Sequence, residues 1–305
     1  MNVPVVAAFD VGGSSIKAAL LDSGGGRLAA LRRTVPAAVD GAVPPGEVAD
    51  LIAAMTAEMS AATGLRPVAA GAVVPGIVDE NAGIARFAAN LGWRDVPLAA
   101  MLRDRLGMPV VFGHDVSAGG LAEWRLGAAR GYRDVAVVPV GTGIAAALLL
   151  DGRPYRAGGH AGELGHVDIG HGLPCGCGST GCLEVVASAG GIARRYRERS
   201  GAAVAGAAEV FGAAAAGDEI AGDVLREATE GLGKGLRVLA TLVAPEAVVL
   251  GGGLFDAGAV LLDPVQRWLN ANLPFQRVPR LLLAELGAEA GCLGAGLLAW
   301  DAVEP

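Results

Sequence analysis

The sequence contains few aromatic side chains: they make up 4% of its 305 residues, although 52% of the residues are hydrophobic. A core built mainly from Ala, Val and Leu is typical of layered α/β proteins. The chain also lacks an excess of positive charge, since its formal net charge is −7, whereas a nucleic-acid surface should be basic. The arginines of segment 194–200 are too few to change this conclusion, and we interpret them as a solvated helix face.

Long apolar runs are absent as well. The nearest candidate, residues 135–150, is broken by Pro139, Gly141 and Gly143, and it falls short of the ~20 apolar residues of a membrane helix. No basic stretch opens the chain and Asp10 comes early, so we predict no signal peptide. These absences predict a cytoplasmic protein without a membrane or nucleic-acid partner.

Cysteine is scarce but concentrated. Three of the four cysteines share one glycine-rich segment, residues 159–184: Cys175, Cys177 and Cys182. Three thiols with one imidazole suit tetrahedral Zn²⁺, and His166 or His171 can supply the imidazole. Three clustered thiols with Cys292 left over favour a metal in a reducing cytosol over disulfides.

One sequence pattern occurs twice, at an offset of 129 residues. VGGSSIKAALLD at 11–22 and VGTGIAAALLLD at 140–151 align without a gap. Each copy is a short β-run, a glycine-rich turn and a second apolar run that ends in Asp. Such turns expose backbone N–H groups that can hold phosphate. A repeat of this length predicts two domains that share one core and meet at a cleft.

The segment 165–184 resembles the signature of the ROK family (repressor, open reading frame, kinase). The matching residues are a Gly-His pair, three cysteines and a glutamate: Gly165, His166, Cys175, Cys177, Cys182 and Glu184. In that family Zn²⁺ is structural and folds a loop so that a histidine and two glutamates face a sugar. The resemblance implies that Glu163, His166 and Glu184 read sugar hydroxyls, with His166 using one ring nitrogen for zinc and the other for sugar.

The resemblance covers nearly the whole chain and implies the fold of the actin, hexokinase and heat-shock-70 ATPase superfamily. We therefore expect an α/β protein of two actin-like (ribonuclease H-like) domains facing a central cleft, with a structural zinc loop. The expected N-terminal domain is 1–115, completed by a C-terminal helix at about 288–305, and the expected C-terminal domain is 116–287. The residue patterns predict helices at 46–63, 96–106 and 117–130, and strands at 68–74 and 109–112.

Three glycine turns would hold a nucleotide, by the same resemblance. Asp10 would face Mg²⁺ and its waters, because hard oxygen ligands suit this ion. The first turn and the lysine after it would contact the β- and γ-phosphates: Gly12, Gly13, Ser14, Ser15 and Lys17. The second turn belongs to the other domain and would also hold the phosphates; its residues are Gly141, Thr142 and Gly143. The third turn lies within 248–258 and would wrap the adenosine; its residues are Gly251, Gly252 and Gly253. The implied cofactors are ATP, Mg²⁺ and structural Zn²⁺.

Asp115 is the predicted catalytic base, since it matches the aspartate of the family's Asn-Asp pair, which takes the proton of the sugar's 6-hydroxyl. It also stands where an N-cap is expected, and a helix N-terminus favours the ionised carboxylate that a base requires. The family's Asn is His114 here, so recognition at C3 and C4 is where this chain should differ. Gly76 and Asn90 are the remaining predicted sugar contacts, and we interpret Trp93 as core or hinge packing.

The predicted function is ATP-dependent phosphorylation of the 6-hydroxyl of a hexose. Glucose is the default substrate. His114 leaves aminohexoses open, such as 3-amino-3-deoxyglucose, glucosamine or an N-acetylhexosamine. Two alternatives are a sugar-sensing regulator without catalysis and a kinase that uses polyphosphate as donor. The resemblance implies a homodimer or a homotetramer.

Overall fold

The computed structural model describes residues 4–255 and 259–303, and the chain divides into two compact units. The first unit contains the residues up to Leu126, the segment Arg156–Ala161 and the residues from Ala288 onward. The second contains Gly127–Tyr155 and Gly162–Gly287. Three predicted features lie outside the described residues: the start of the first strand at Val3, residues 256–258 of the third glycine motif, and the last two residues of the helix at 288–305.

The first unit contains the strands up to residue 114. In chain order they are β1 (Val5–Val11), β2 (Ser15–Leu21), β3 (Arg27–Thr34), β4 (Pro67–Val74), β5 (Ile77–Asp79), β6 (Ile84–Ala88), β7 (Trp93–Val96) and β8 (Val110–His114). A five-stranded sheet has the order β3-β2-β1-β4-β8. Strands β1, β2 and β3 are antiparallel neighbours, whereas β4 and β8 run parallel to β1. The short strands β5, β6 and β7 form a separate antiparallel sheet, which the sequence analysis did not predict.

The α-helices cover the sheets. In chain order they are α1 (Pro45–Thr63), α2 (Leu98–Leu106), α3 (Asp115–Leu126), α4 (Leu183–Ala187), α5 (Ala189–Ser200), α6 (Ala207–Ala215), α7 (Glu219–Val243), α8 (Ala259–Asn272) and α9 (Ala290–Val303). Of these, α1, α2, α3 and α9 belong to the first unit. Within the described part of the chain, no helix combines the length and the apolar character needed to cross a bilayer.

Both faces of the first sheet are buried, because successive residues of a strand point to opposite sides. Ala7, Phe9 and Val11 of β1 lie in one core cluster with residues of α1 and α2. Val6 and Ala8 lie in a second cluster with residues of α3 and α9. Strand β1 is therefore apolar along nearly its whole length, as is typical of a strand with both faces buried.

Helix α3 differs from the prediction of 117–130, since it begins at Asp115 and ends at Leu126. Gly127 follows its last residue, and glycine is common just beyond a helix C-terminus. Ala118 of α3 packs in the same core cluster as Ala295 and Ala299 of α9. With this packing α3 belongs to the first compact unit, whose first stretch ends at Leu126.

The other predicted elements of the first unit agree with the structure to within two residues. Helix α1 and strands β4 and β8 correspond to the predicted segments 46–63, 68–74 and 109–112. Helix α2 begins at Leu98 rather than at Val96. Val96 precedes Pro97, and a residue before proline is disfavoured in the helical conformation.

The second unit repeats the topology of the first. Its strands are β9 (Val135–Pro139), β10 (Ala147–Leu150), β11 (Arg153–Tyr155), β12 (Ala247–Gly251) and β13 (Arg280–Leu283). The sheet order is β11-β10-β9-β12-β13, with the same alternation of antiparallel and parallel neighbours as in the first sheet. The structure thus confirms the α/β class and the prediction of two domains with one core.

The two hairpins nevertheless differ in register. Val11 pairs with Ile16 across the first turn, whereas the equivalent Val140 pairs with Ile144. The second turn is one residue shorter than the first. After the turn, Ile16 of the first copy therefore corresponds to Ile144 of the second, which is an offset of 128 residues (144 minus 16). The gap-free alignment of the sequences therefore fails for the strand that follows the turn, where Ala145 and not Ala146 takes the place of Lys17.

Candidate functional site

In the first unit, Asp10 and Lys17 face each other across the β1–β2 hairpin. They are register partners, and Nζ of Lys17 lies 3.1 Å from Oδ2 of Asp10. Lys17 also donates to the carbonyl oxygen of Ala288 at 2.5 Å. The lysine predicted to contact phosphate is thus engaged within its own unit.

The carboxyl ends of β1, β4 and β8 lie at one edge of the sheet, because these strands are parallel. This edge brings Asp10 near Asp115, the first residue of α3. Burial raises the pKa of Asp10 above its ordinary value; Lys17 opposes this rise, and the charge of Asp115 adds to it. Two neighbouring carboxylates, one of them buried, are a favourable arrangement for a hard divalent cation.

The carboxylate of Asp115 is held through one oxygen. Its Oδ1 accepts a hydrogen bond from the N–H of Val116 at 2.7 Å and lies 3.2 Å from Nε2 of His114. Within the described residues Oδ2 accepts no hydrogen bond. Asp115 is therefore not the N-cap that the sequence analysis allowed, since an N-cap side chain bonds an N–H two or three residues further on.

Glu80 and Arg156 lie behind His114, and the sequence analysis did not find them. The carboxylate of Glu80 lies near the backbone N–H of His114, and its Oε2 lies 2.9 Å from Nε of Arg156. Burial raises the pKa of Glu80, against the opposing effect of Arg156. No local pattern could have revealed this pair, because the two residues are far apart in the chain.

Two predicted sugar contacts of the first unit are Gly76, which follows β4, and Asn90, which lies beside the glycine turn between β1 and β2. Gly76 has a φ of 96°, and a Cβ there would stand 2.1 Å from the carbonyl oxygen of Phe87, so the fold itself requires glycine. A Cβ on Gly13 would lie 3.0 Å from Cβ of Asn90, which places the exposed Asn90 beside the first glycine turn. Trp93 is buried, as expected of a core residue.

In the second unit, the structure brings the other two glycine turns together. The N–H of Val140 donates to the carbonyl of Gly251 at 2.8 Å, and the N–H of Leu254 donates to the carbonyl of Val140 at 3.1 Å. The first residue of α5, Ala189, donates its N–H to the carbonyl of Gly141 at 2.9 Å. The turn 141–143 thus lies between the end of β12 and the N-terminus of α5, where an anion is favoured.

A cavity of about 350 Å³ adjoins this turn. Thr142, Glu184 and the start of α5 line it, together with Arg194 and Arg197 of the same helix. The sequence by itself indicated only a solvated helix face for these arginines. The structure places both at the rim of a pocket that Thr142 also lines.

Glu184 contacts the second glycine turn directly. Its Oε2 accepts a hydrogen bond from the N–H of Ile144 at 2.9 Å. A Cβ on Gly143 would stand 2.5 Å from that oxygen, so glycine is needed for the approach. One oxygen of this predicted sugar ligand is therefore occupied by the turn.

The predicted metal ligands form one cluster. Their ligand atoms all lie within 4.8 Å of one another: His166, Cys175, Cys177 and Cys182. The two sulfurs of Cys177 and Cys182 are 3.7 Å apart, and Cys175 Sγ lies 3.9 Å from Nδ1 of His166. Two sulfurs bound at ~2.3 Å to a tetrahedral ion stand roughly 3.8 Å apart. The donor set and its spacing therefore fit a structural zinc ion.

His171, the alternative ligand, lies outside this cluster. Its Nε2 lies 3.0 Å from the carbonyl oxygen of Cys182, and its Nδ1 accepts from the N–H of Leu173 at 3.0 Å. With Nδ1 of His166 toward the thiols, its Nε2 lies 4.0 Å from Oε2 of Glu163. The imidazole thus spans the metal cluster and one predicted sugar ligand.

The chain is similar to known proteins in sequence and in fold. The ROK family profile matches residues 6–302. A glucokinase of Streptomyces coelicolor is 33% identical, over 95% of this chain and 96% of its own. The crystal structure of a ROK hexokinase from Thermus thermophilus is 34% identical, with a TM-score of 0.87 and coverage of 98% of this chain and 99% of that one.

A second solved structure is a ROK family glucokinase from Streptomyces griseus in complex with glucose and AMPPNP. It is 33% identical, with a TM-score of 0.80, and the match covers 97% of this chain and 99% of that one. The present chain belongs to the ROK family. Within that family it is a sugar kinase, an enzyme that phosphorylates a sugar.

Proposed function

We propose that this enzyme transfers the γ-phosphate of ATP to the 6-hydroxyl of a hexose, with Asp115 as general base. The observation that carries the proposal is the carboxylate of Asp115: its Oδ1 accepts the N–H of Val116, and its Oδ2 accepts no hydrogen bond from the part of the chain that the structure describes, so that it can meet a substrate hydroxyl. The new O6–P bond forms as the bond between phosphorus and the β,γ-bridging oxygen breaks. ADP leaves, and the hydroxyl proton passes to Asp115.

The proposed nucleotide contacts follow the three glycine turns. Asp10 faces Mg²⁺, which supplies charge neutralisation between the phosphates when it is bound. The first and second turns hold the phosphates through backbone N–H groups, and the side chain of Lys17 contacts the phosphates as well. The residues of these two turns are Gly12, Gly13, Ser14, Ser15, Gly141, Thr142 and Gly143. The third turn receives the adenosine: Gly251, Gly252 and Gly253. The use of AMPPNP in the Streptomyces griseus complex supports ATP as donor.

The proposed sugar contacts are Glu163, His166 and Glu184 from the second unit, and Gly76, Asn90 and His114 from the first. A zinc ion on His166 and the three cysteines would hold the loop that carries the first two of these ligands. Glucose is the default acceptor, because two of the relatives above are glucokinases. An aminohexose is the alternative acceptor to test first, since His114 replaces the family's Asn at the position expected to face C3 and C4 of the sugar.

The test is a coupled ADP-release assay with Mg²⁺-ATP across a panel of hexoses and aminohexoses. Asp115→Asn should retain sugar binding, measured by calorimetry, and lose turnover by about 10³-fold or more. Asp104→Asn, an exposed aspartate of the same unit, is the matched control and should behave as wild type. Near-normal turnover of Asp115→Asn would remove it as the base.

The same assay separates the two alternatives. Sugar binding without turnover by zinc-loaded, folded wild type would favour a sugar sensor. Turnover with polyphosphate but not with ATP would favour the other donor. Sugar-dependent ADP release that Asp115→Asn abolishes would support the proposal against both.

Two further properties belong to the same proposal. We infer a reducing, cytoplasmic setting, because the three clustered thiols must stay reduced to bind metal. We also infer a homodimer or homotetramer, as the family resemblance implies. Sedimentation equilibrium of the zinc-loaded protein at micromolar concentration measures the second property, and a monomer there would contradict it.

A further inference from the structure

Strand β3 carries three arginines, and two of them are paired with carboxylates. Arg27 forms an ion pair with Glu289. Arg33 donates from one guanidinium nitrogen to both oxygens of Glu58, at 2.8 Å each. Arg32 is exposed, and among the described residues no carboxylate is close enough to form an ion pair with it. The charge of Arg32 is therefore the one on this strand that no carboxylate in the described part of the chain offsets.

Arg32 lies beside the first glycine turn. Its Nε donates to Oγ of Ser15 at 3.1 Å, and Ser15 is the residue at which the turn passes into β2. A hydroxyl that accepts from an arginine keeps its own hydrogen for another acceptor. Among the residues that the structure describes, Oγ of Ser15 is the one acceptor for the side chain of Arg32. Both terminal nitrogens of the guanidinium are thus available to a ligand at this turn.

The register of the sheet places Arg32 in a row with two residues of the candidate site. Asp10 pairs with Lys17 across β1 and β2, and Lys17 pairs with Arg32 across β2 and β3. Side chains of directly opposed residues project from the same face of a sheet. Lys17 is held by Asp10 at 3.1 Å and by the carbonyl oxygen of Ala288 at 2.5 Å. The charge of Lys17 is therefore partly offset within its own unit, and Arg32 adds an uncompensated charge beside it.

We propose that Arg32 is a further ligand of the donor's phosphate chain. The inference rests on the proposed function, in which the backbone N–H groups of the first turn hold the phosphates of ATP. Arginine presents its N–H donors in a fixed plane, which suits contact with two phosphate oxygens at once. Nε of Arg32 holds Ser15, the two terminal nitrogens bind the phosphate chain, and the hydroxyl of Ser15 donates to the same chain.

Two substitutions at position 32 separate charge from geometry. Arg32→Gln removes the charge, whereas Arg32→Lys keeps it without the planar fork. With Mg²⁺-AMPPNP as the probe in titration calorimetry, Arg32→Gln should raise the Kd about 10-fold, which is the size of effect expected for a hydrogen bond to a charged group. Arg32→Lys should raise it about threefold. The KM for ATP should rise in parallel, while kcat at saturating ATP and the KM for sugar stay within about twofold of wild type.

Arg33→Gln is the matched control. It removes the same charge one residue away, where the strand presents its other face and Glu58 is the partner. The Kd of this variant for AMPPNP should stay within about twofold of wild type, since its charge is already paired. Added KCl should weaken AMPPNP binding to wild type more than to Arg32→Gln, because salt screens a contact between charges. A merely structural role of Arg32 in the strand would leave this salt dependence unchanged.

The inference is overturned if Arg32→Gln weakens AMPPNP binding no more than Arg33→Gln does. A fall in kcat at an unchanged KM for ATP would also overturn it, because Arg32 would then act on the chemical step. Failure of the proposed function is a different result, in which wild type releases no ADP with any sugar. The titrations still test Arg32 in that case, since they need no turnover, and Mg²⁺-tripolyphosphate replaces AMPPNP if wild type binds only the former. Wild type that binds neither probe would overturn both proposals.

Discussion

Oε2 of Glu184 accepts a hydrogen bond from the backbone N–H of Ile144 at 2.9 Å. Glu184 is the last residue of the zinc-loop motif, and Ile144 ends the glycine turn of the second hairpin. A single carboxylate thus joins the predicted sugar-reading segment to the predicted phosphate-binding turn within one unit. Because one oxygen is used by the turn, the other is the one available to a sugar hydroxyl.

Gly143→Ala should lower kcat/KM by about 10-fold or more, because its Cβ would stand 2.5 Å from Oε2 of Glu184 and would displace the carboxylate or the turn. The double variant with Glu184→Ala should show non-additive losses, since the clash disappears when the longer side chain is removed. Gly212→Ala, at a helical position with open space around it, is the matched control. Purely additive losses would show that the two residues act independently.

Cys177→Ser should abolish stoichiometric zinc, measured by elemental mass spectrometry on protein purified without chelator. Cys292→Ala, which changes a buried thiol of the other unit, should retain it. Burial raises the pKa of the Cys182 thiol to about 12, so a metal must displace its proton. Zinc affinity should therefore fall as pH falls. Full zinc content in Cys177→Ser would show that the ligand set is wrong.

Asp10→Asn should lose turnover but melt about 1–3 °C above wild type at pH 7.5. Burial raises the pKa of Asp10, so its charge destabilises the folded state above that pKa. This penalty disappears as pH falls through the raised pKa toward the unfolded value of 3.8. The advantage of the variant should accordingly shrink at acidic pH. A lower melting temperature at pH 7.5 would mean that the ion pair with Lys17 outweighs burial.

Trp93→Phe should destabilise the protein by about 1–3 kcal/mol, because it leaves a buried carbonyl without its donor. Nε1 of Trp93 donates to the carbonyl oxygen of Val43 at 2.6 Å, and the side chain is buried. Urea unfolding measures the loss, and the KM for sugar should stay within about twofold. An unchanged stability with a tenfold rise in KM would instead make Trp93 a sugar platform.

Local patterns predicted most of the secondary structure. Apolar runs on either side of glycine turns identified both hairpins. Pro97 accounts for the later start of α2, and Gly127 follows the earlier end of α3. The sheet of β5, β6 and β7 was missed, because its strands are short and little longer than the turns that join them. The register difference between the hairpins was also missed, since an alignment of sequences does not report which residues pair.

For the candidate site, the sequence by itself determined the chemistry: three thiols with an imidazole, glycine turns, and an aspartate at the end of a strand. Each of these signals is a pattern of residue types within one short segment, so it can be recognised without knowing how the segments pack. Only the tertiary structure decided that His166 and not His171 joins the thiols, that Glu184 holds Ile144, and that Glu80 lies behind His114 with Arg156. Such contacts join residues distant in sequence, and they depend on how whole strands and helices pack.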